Sequence, residues 1–267
     1  SSHSNFTCLD YRFVASAFSS CARWYFEVGL VISHVIAIKG LYQSGEHQQS
    51  LTQKRRGLYT KITRPHPDFH VAESERLQAE FILSAPSLKQ CPPGDQPEVA
   101  FAGRSNAGKS SVLNRLTGNR HMAKVSKTPG RTQLLNFFDL KPAGRLVDLP
   151  GYGYAKTARS TQNQWQRSVN DYLSKRDPLV GLVLVTDIRH PGQASDEEMI
   201  KWAEASELPL RVLLNKADKF SKSKQNQALA QFSKRHPALK VTTAQCFSAL
   251  QATGTNELIS WVRHALG

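Results

Sequence analysis

From residue 99 onward, short apolar runs alternate with amphipathic stretches. Residues 99–102, 181–186 and 210–214 are nearly continuous apolar runs, as strands buried on both faces of a parallel sheet require. Residues 134–140, 145–149 and 241–247 also read as strands. Between them, residues 110–116, 162–176, 196–206, 222–235 and 256–266 read as helices. The second helix carries Trp165, Val169, Tyr172 and Leu173 at helical spacing, and the third puts Met199, Trp202 and Ala203 on one face. Gly118 suits a helix C-cap. This alternation predicts an α/β domain around a mostly parallel sheet with right-handed crossovers. Residues 72–83 form a short amphipathic stretch in which Leu77, Phe81 and Ile82 are apolar, and a Pro-Pro-Gly break follows at 92–94.

Upstream the pattern dissolves. Residues 44–56 are polar and then basic, and two prolines stand at 65 and 67, which disfavours helix there. The reading divides the chain into an N-terminal extension, 1–72, and a folded domain, 73–267. No apolar run reaches the 18 residues of a membrane helix, so no stable membrane insertion is expected. Charge then narrows the partners. The 267 residues carry a formal net charge of +14, which points to a polyanion, with nucleic acid before a membrane surface. The four cysteines, Cys8, Cys21, Cys91 and Cys246, form no C-x-x-C pair. They read as free thiols in a reducing compartment.

The chemistry sits at the strand ends. Residues 103–110, Gly-Arg-Ser-Asn-Ala-Gly-Lys-Ser, match G-x-x-x-x-G-K-[ST] between a predicted strand and a predicted helix. Gly103 and Gly108 let the backbone curl with its N–H groups inward, and the helix N-terminus adds positive charge. Lys109 reaches phosphates and Ser110 can ligate Mg²⁺. Asn215-Lys216-Ala217-Asp218 chooses the base, because a carboxylate accepts from both N1–H and the 2-amino group of guanine, a donor pair adenine lacks. Asp148-Leu149-Pro150-Gly151 places a carboxylate to hold Mg²⁺ through water and a glycine N–H for the γ-phosphate. In residues 127–133, Thr128 and Thr132 compete as the ligand that senses the triphosphate. Phe247-Ser248-Ala249 ends a strand and can pack its backbone against guanine O6.

With these elements in order, the chain resembles the EngB family of GTPases. The resemblance rests on residues 103–111, 126–133, 148–155 and 187–191 (Asp-Ile-Arg-His-Pro) and covers about residues 75–267. It implies a Ras-like P-loop fold: a six-stranded mixed, mostly parallel sheet with one antiparallel edge strand and helices on both faces. It also implies a cytoplasmic GTPase needed for large ribosomal subunit assembly and linked to cell division and septation. Its partners would be GTP or GDP, Mg²⁺ and rRNA, with the protein a monomer. The implied nucleotide site comprises Gly103, Arg104, Ser105, Asn106, Ala107, Gly108, Lys109, Ser110 and Ser111. It continues with Gly130, Arg131, Thr132, Gln133 and Leu134, then Asp148, Leu149, Pro150 and Gly151. Asn215, Lys216, Ala217, Asp218, Phe247, Ser248 and Ala249 complete it. Mg²⁺ would fall to Ser110 and Thr132, with Asp148 through water.

Ras-type enzymes orient water with a Gln just after the D-x-x-G glycine, where this chain has Tyr152. A phenol cannot replace that amide, so intrinsic hydrolysis is expected to be slow. Lys109, Thr132 and Asn106 are the residues expected to assist. In the related MnmE-type GTPases an Asn at the position of Asn106 helps hold K⁺ near the phosphates, and the same is expected here. Tyr152, Tyr154 and Lys156 could face the ribosome or pack against the domain. His190 reads as a structural loop residue. The competing readings are an ATP-using P-loop enzyme, an RNA-binding module with little turnover and a membrane-associated GTPase.

Overall fold

The computed structural model describes residues 76–119, 122, 134–152 and 159–267, with side chains from 167 onward in the last stretch. The 1–72 extension and residues 123–133 lie outside them. Seven strands form one sheet: β1 Gln78–Ala85, β2 Glu98–Gly103, β3 Leu135–Lys141, β4 Arg145–Asp148, β5 Leu179–Asp187, β6 Leu210–Asn215 and β7 Thr242–Cys246, in the order β1-β3-β4-β2-β5-β6-β7. Five α-helices accompany them among the described residues: α1 Lys109–Thr117, α2 Arg159–Lys175, α3 Ala194–Ala205, α4 Lys222–Arg235 and α5 Thr255–Leu266.

The apolar runs explain the central sheet. In β2, β5 and β6 nearly every residue is buried, and alternate side chains serve opposite faces. Ala100, Ala102, Leu182, Leu184, Val212 and Leu214 face one core with Tyr172 of α2, Trp202 of α3 and Phe232 of α4. Val99, Phe101, Val183, Val185 and Leu213 face the other with Leu113 and Leu116 of α1 and Trp261 and Val262 of α5. Burying one such large side chain contributes about 1.5–3 kcal/mol, so these two layers hold the site's scaffold rigid. Among the described residues, no helix is long and apolar enough to cross a membrane.

The sheet is mixed and mostly parallel, with one more strand than the resemblance implies. The amphipathic stretch beginning at 72 contains strand β1, which pairs antiparallel with β3 and has a register shift between Phe81 and Leu83. β3 also pairs antiparallel with β4, so it runs against the rest but is not the edge; β1 is. The half-buried pattern of β1, with Phe81 54% exposed, is what an edge strand shows.

At the N-terminal ends of the strands a closed charged network sits in the core. Glu98 is fully buried. It accepts from Tyr172 Oη at 2.9 Å and from the Arg176 guanidinium at 2.6 and 3.0 Å. Arg145 approaches it at 3.6 Å and binds Asp139 at 2.8 Å. Among the described residues, the chemistry-bearing motifs lie at the opposite, C-terminal ends of β2, β4, β5, β6 and β7, where open α/β sheets place ligands.

Candidate nucleotide site

β2 runs directly into the phosphate loop. A Cβ at Gly103 would sit 2.5 Å from the Val185 carbonyl oxygen on the neighbouring strand, so only glycine lets the chain leave the sheet there. Asn106 adopts φ 66°, a left-handed conformation that Asn tolerates better than most residues. Gly108 (φ 98°) caps α1, and a side chain there would strike the Asn215 amide. The loop therefore ends with the first-turn amides of α1 free to meet an anion.

Two further segments lock onto this loop. The D-x-x-G turn is joined to it by the Ser105 N–H, which donates to the Tyr152 carbonyl at 2.8 Å. Lys109 pairs with Asp148 at the end of β4, with both side chains largely buried. Phosphate oxygens would compete for Lys109. Ser110 in the first turn of α1 and Asp148 offer hydroxyl and carboxylate oxygens, a hard donor set that suits Mg²⁺. The Tyr152 side chain turns away into the domain. Its hydroxyl donates to Asp196 Oδ1 at 2.6 Å, and Thr186 donates to Asp196 Oδ2 at 2.9 Å. Burial pushes the Tyr152 phenol well above its ordinary range and also raises the Asp196 carboxyl, against the two hydrogen bonds that favour its charged form.

The Asn215–Asp218 segment lies beside this loop. Asn215 is buried at the end of β6 and donates to the Ala107 carbonyl at 2.8 Å. Lys216 (φ 63°) sends its ammonium to the Asn106 carbonyl at 2.7 Å and to Asp187 at 2.9 Å. Ser248 donates to Asp218 Oδ1 at 2.7 Å, and that bond holds the Asp218 carboxyl below its ordinary range. Arg115 of α1 secures the strand-end loop through the Ala249 carbonyl at 2.7 Å. Gly108, Ser111, Asn215, Lys216, Asp218 and Ala249 are among the residues lining one cleft of about 610 Å³, within the size range of small-molecule sites.

This assembly has known counterparts. Residues 98–216 match the family model described as 50S ribosome-binding GTPase. The probable GTP-binding protein EngB of Pasteurella multocida is 47% identical over 182 residues, covering 68% of this chain and 89% of that protein. That of Coxiella burnetii is 47% identical over 191 residues, covering 70% and 93%. The chain belongs to the EngB family of GTP-binding proteins. It is a P-loop GTPase, hydrolysing GTP to GDP and phosphate. In fold, it resembles the crystal structure of a probable EngB (TM-score 0.51, 21% identity, 63% of this chain and 98% of that one). It also resembles an Aquifex aeolicus Era variant (TM-score 0.54, 23% identity, 64% and 56%).

Within this EngB chain, residues 103–111, 148–151, 215–218 and 247–249 converge from four strand ends. Leu134 stands exposed just before β3, while Gly130, Arg131, Thr132 and Gln133 lie outside the described residues, as do Tyr154 and Lys156. Of the two alternatives for Tyr152, packing against the domain is the one observed. His190 is an exposed turn residue whose N–H donates to the Asp187 carbonyl. Three participants escaped the sequence reading. Asp187 had a signal, since it opens the Asp-Ile-Arg-His-Pro motif. Asp196 and Arg115 had none, because their partners are 44 and 134 residues distant.

Proposed function

We propose that this EngB-family protein is a slow, GTP-switched factor that binds the large ribosomal subunit during its assembly in the cytoplasm. The observation that carries this reading is a chain of net charge +14 whose residues 98–216 match a 50S ribosome-binding GTPase model. A basic protein gains affinity for RNA by releasing counterions. Residues 73–267 act as the working domain of a monomer, and the family's link to cell division and septation belongs to the same reading.

The residues divide the work. The amides of 103–111 and the Lys109 ammonium bind the phosphates and stabilise charge that moves onto them. Asp218 accepts from guanine, Ala249 meets O6 through its N–H, and Lys216 walls the base. Ser110, Thr132 and Asp148 would hold Mg²⁺, which supplies charge neutralisation between phosphates. Residues 130–134 and 148–151 respond to the γ-phosphate. The Tyr152 hydroxyl is engaged with Asp196, which leaves no side chain at that position to orient water and supports slow turnover. Asn106, whose side chain is exposed at the loop tip, would take part in holding K⁺. Equal turnover in KCl and NaCl, unaltered by Asn106→Ala, removes that part of the reading.

Co-sedimentation with large-subunit particles tests the whole. Binding should be stronger with a non-hydrolysable GTP analogue than with GDP, and should weaken as salt rises. Binding indifferent to both nucleotide and salt would refute it.

A further inference from the structure

Asp187 ends β5 and sits beside Asn215 in the β5–β6 register, with the Ile188 N–H donating to the Asn215 carbonyl at 2.9 Å. Its carboxylate is gripped from two sides. Arg189 makes a forked contact, Nε to Oδ1 at 2.9 Å and Nη2 to Oδ2 at 2.7 Å, and its backbone N–H adds a bond to Oδ1 at 3.0 Å. From the other side comes the Lys216 ammonium at 2.9 Å. Burial alone would raise the Asp187 carboxyl, but the bonds from Arg189 and Lys216 overcome it and hold it well below the usual carboxylate range. The group is thus a fixed negative charge.

That charge has a geometric consequence. Lys216 is a long, flexible side chain that loses rotamer freedom when fixed. Here its ammonium is held at two points, Asp187 and the Asn106 carbonyl of the phosphate loop. Its stem then lies along the cleft that Asp218 also lines. Arg189 keeps Asp187 from swinging toward solvent, since a forked guanidinium–carboxylate contact fixes both partners.

We propose that Asp187 is a positioning residue for guanine-nucleotide binding: clamped by Arg189, it holds Lys216 across the cleft as a preformed wall and ties the base segment to the phosphate loop. The inference rests on the reading of this cleft as the guanine site. Preformed, the wall spares the ligand the cost of ordering Lys216.

The test is a titration of the full chain with a fluorescent GDP, run on wild type, Asp187→Asn, Lys216→Ala and the double variant, with thermal unfolding followed alongside. Asp187→Asn should weaken GDP about tenfold, mostly through faster release. In the Lys216→Ala background the same change should cost less than about twofold, because its effect travels through Lys216. A merely structural role would give equal losses in both backgrounds, and that result overturns the proposal, as does unchanged affinity in Asp187→Asn. Should Asp187→Asn fail to fold, Arg189→Ala decides: a loss of about threefold that vanishes with Lys216→Ala supports it, and no loss refutes it. Wild type that binds GDP no better than ADP would instead bring down the cleft's assignment itself.

Discussion

The two ends of the sheet carry similar charged residues and use them differently. At the N-terminal end Glu98 is wholly enclosed, and its oxygens are taken by Tyr172 and Arg176 with Arg145 nearby. At the C-terminal end Lys109 pairs with Asp148, Lys216 with Asp187, and Asp218 with Ser248, and Lys216 and Asp218 line a cleft. The first network is closed and can only stabilise. The second faces open space: a phosphate can take Lys109 from Asp148, while Asp187 and Ser248 hold Lys216 and Asp218 in place for a ligand. A charge pair speaks for function when it lies where the strands end toward open space, and for architecture when it is sealed below them.

Separate damage to each end is the sharpest way to break this comparison. Glu98→Ala should lower stability by about 3–5 kcal/mol, since it takes the carboxylate from partly buried Arg176 and from buried Tyr172. Chemical denaturation measures the loss, and GDP affinity of the remaining folded protein should be unchanged. Lys109→Ala should do the reverse, cutting single-turnover GTP hydrolysis about 10²–10³-fold through lost charge stabilisation. Substantial turnover in that variant would place the chemistry elsewhere.

Asp218→Asn should reduce preference for GDP over a xanthine nucleotide by about 10–100-fold, because an amide can donate to the 2-oxo group where a carboxylate repels it. Competition binding reads this directly. The smallest effect concerns Ser248. Its hydroxyl lowers the Asp218 carboxyl, so Asp218 stays ionised as the pH falls into the ordinary carboxylate range. GDP affinity should therefore be flat from pH 8 to about pH 5. Ser248→Ala should weaken binding about threefold at neutral pH and start the acid loss at higher pH than in wild type, because the carboxyl then protonates sooner. An acid onset unmoved by the substitution would sever Ser248 from Asp218.

What could be read from the chain was local. Nearly continuous apolar runs marked β2, β5 and β6, since burial on both faces leaves few polar positions, and one that remains, Arg211, is paired with Gln245 and Glu257. The helix of residues 222–235 was legible end to end because Ser221 caps it and Phe232 and Ala228 keep its periodicity. The phosphate loop and the Asn215–Asp218 segment declared themselves because each needs consecutive residues of set type. β1 was only an amphipathic stretch, since its strand character comes from β3, more than fifty residues away.

Sequence alone therefore determined the residue types at each strand end: a glycine-hinged loop, a carboxylate, an Asn-Lys-Ala-Asp tetrapeptide. Only the tertiary structure decided that Tyr152 points to Asp196 rather than outward, and that Asp187 and Arg189 govern Lys216. Motif spacing constrains neighbours along the chain, whereas a hydrogen bond between side chains on different strands depends on sheet order and register, which no short window of residues contains.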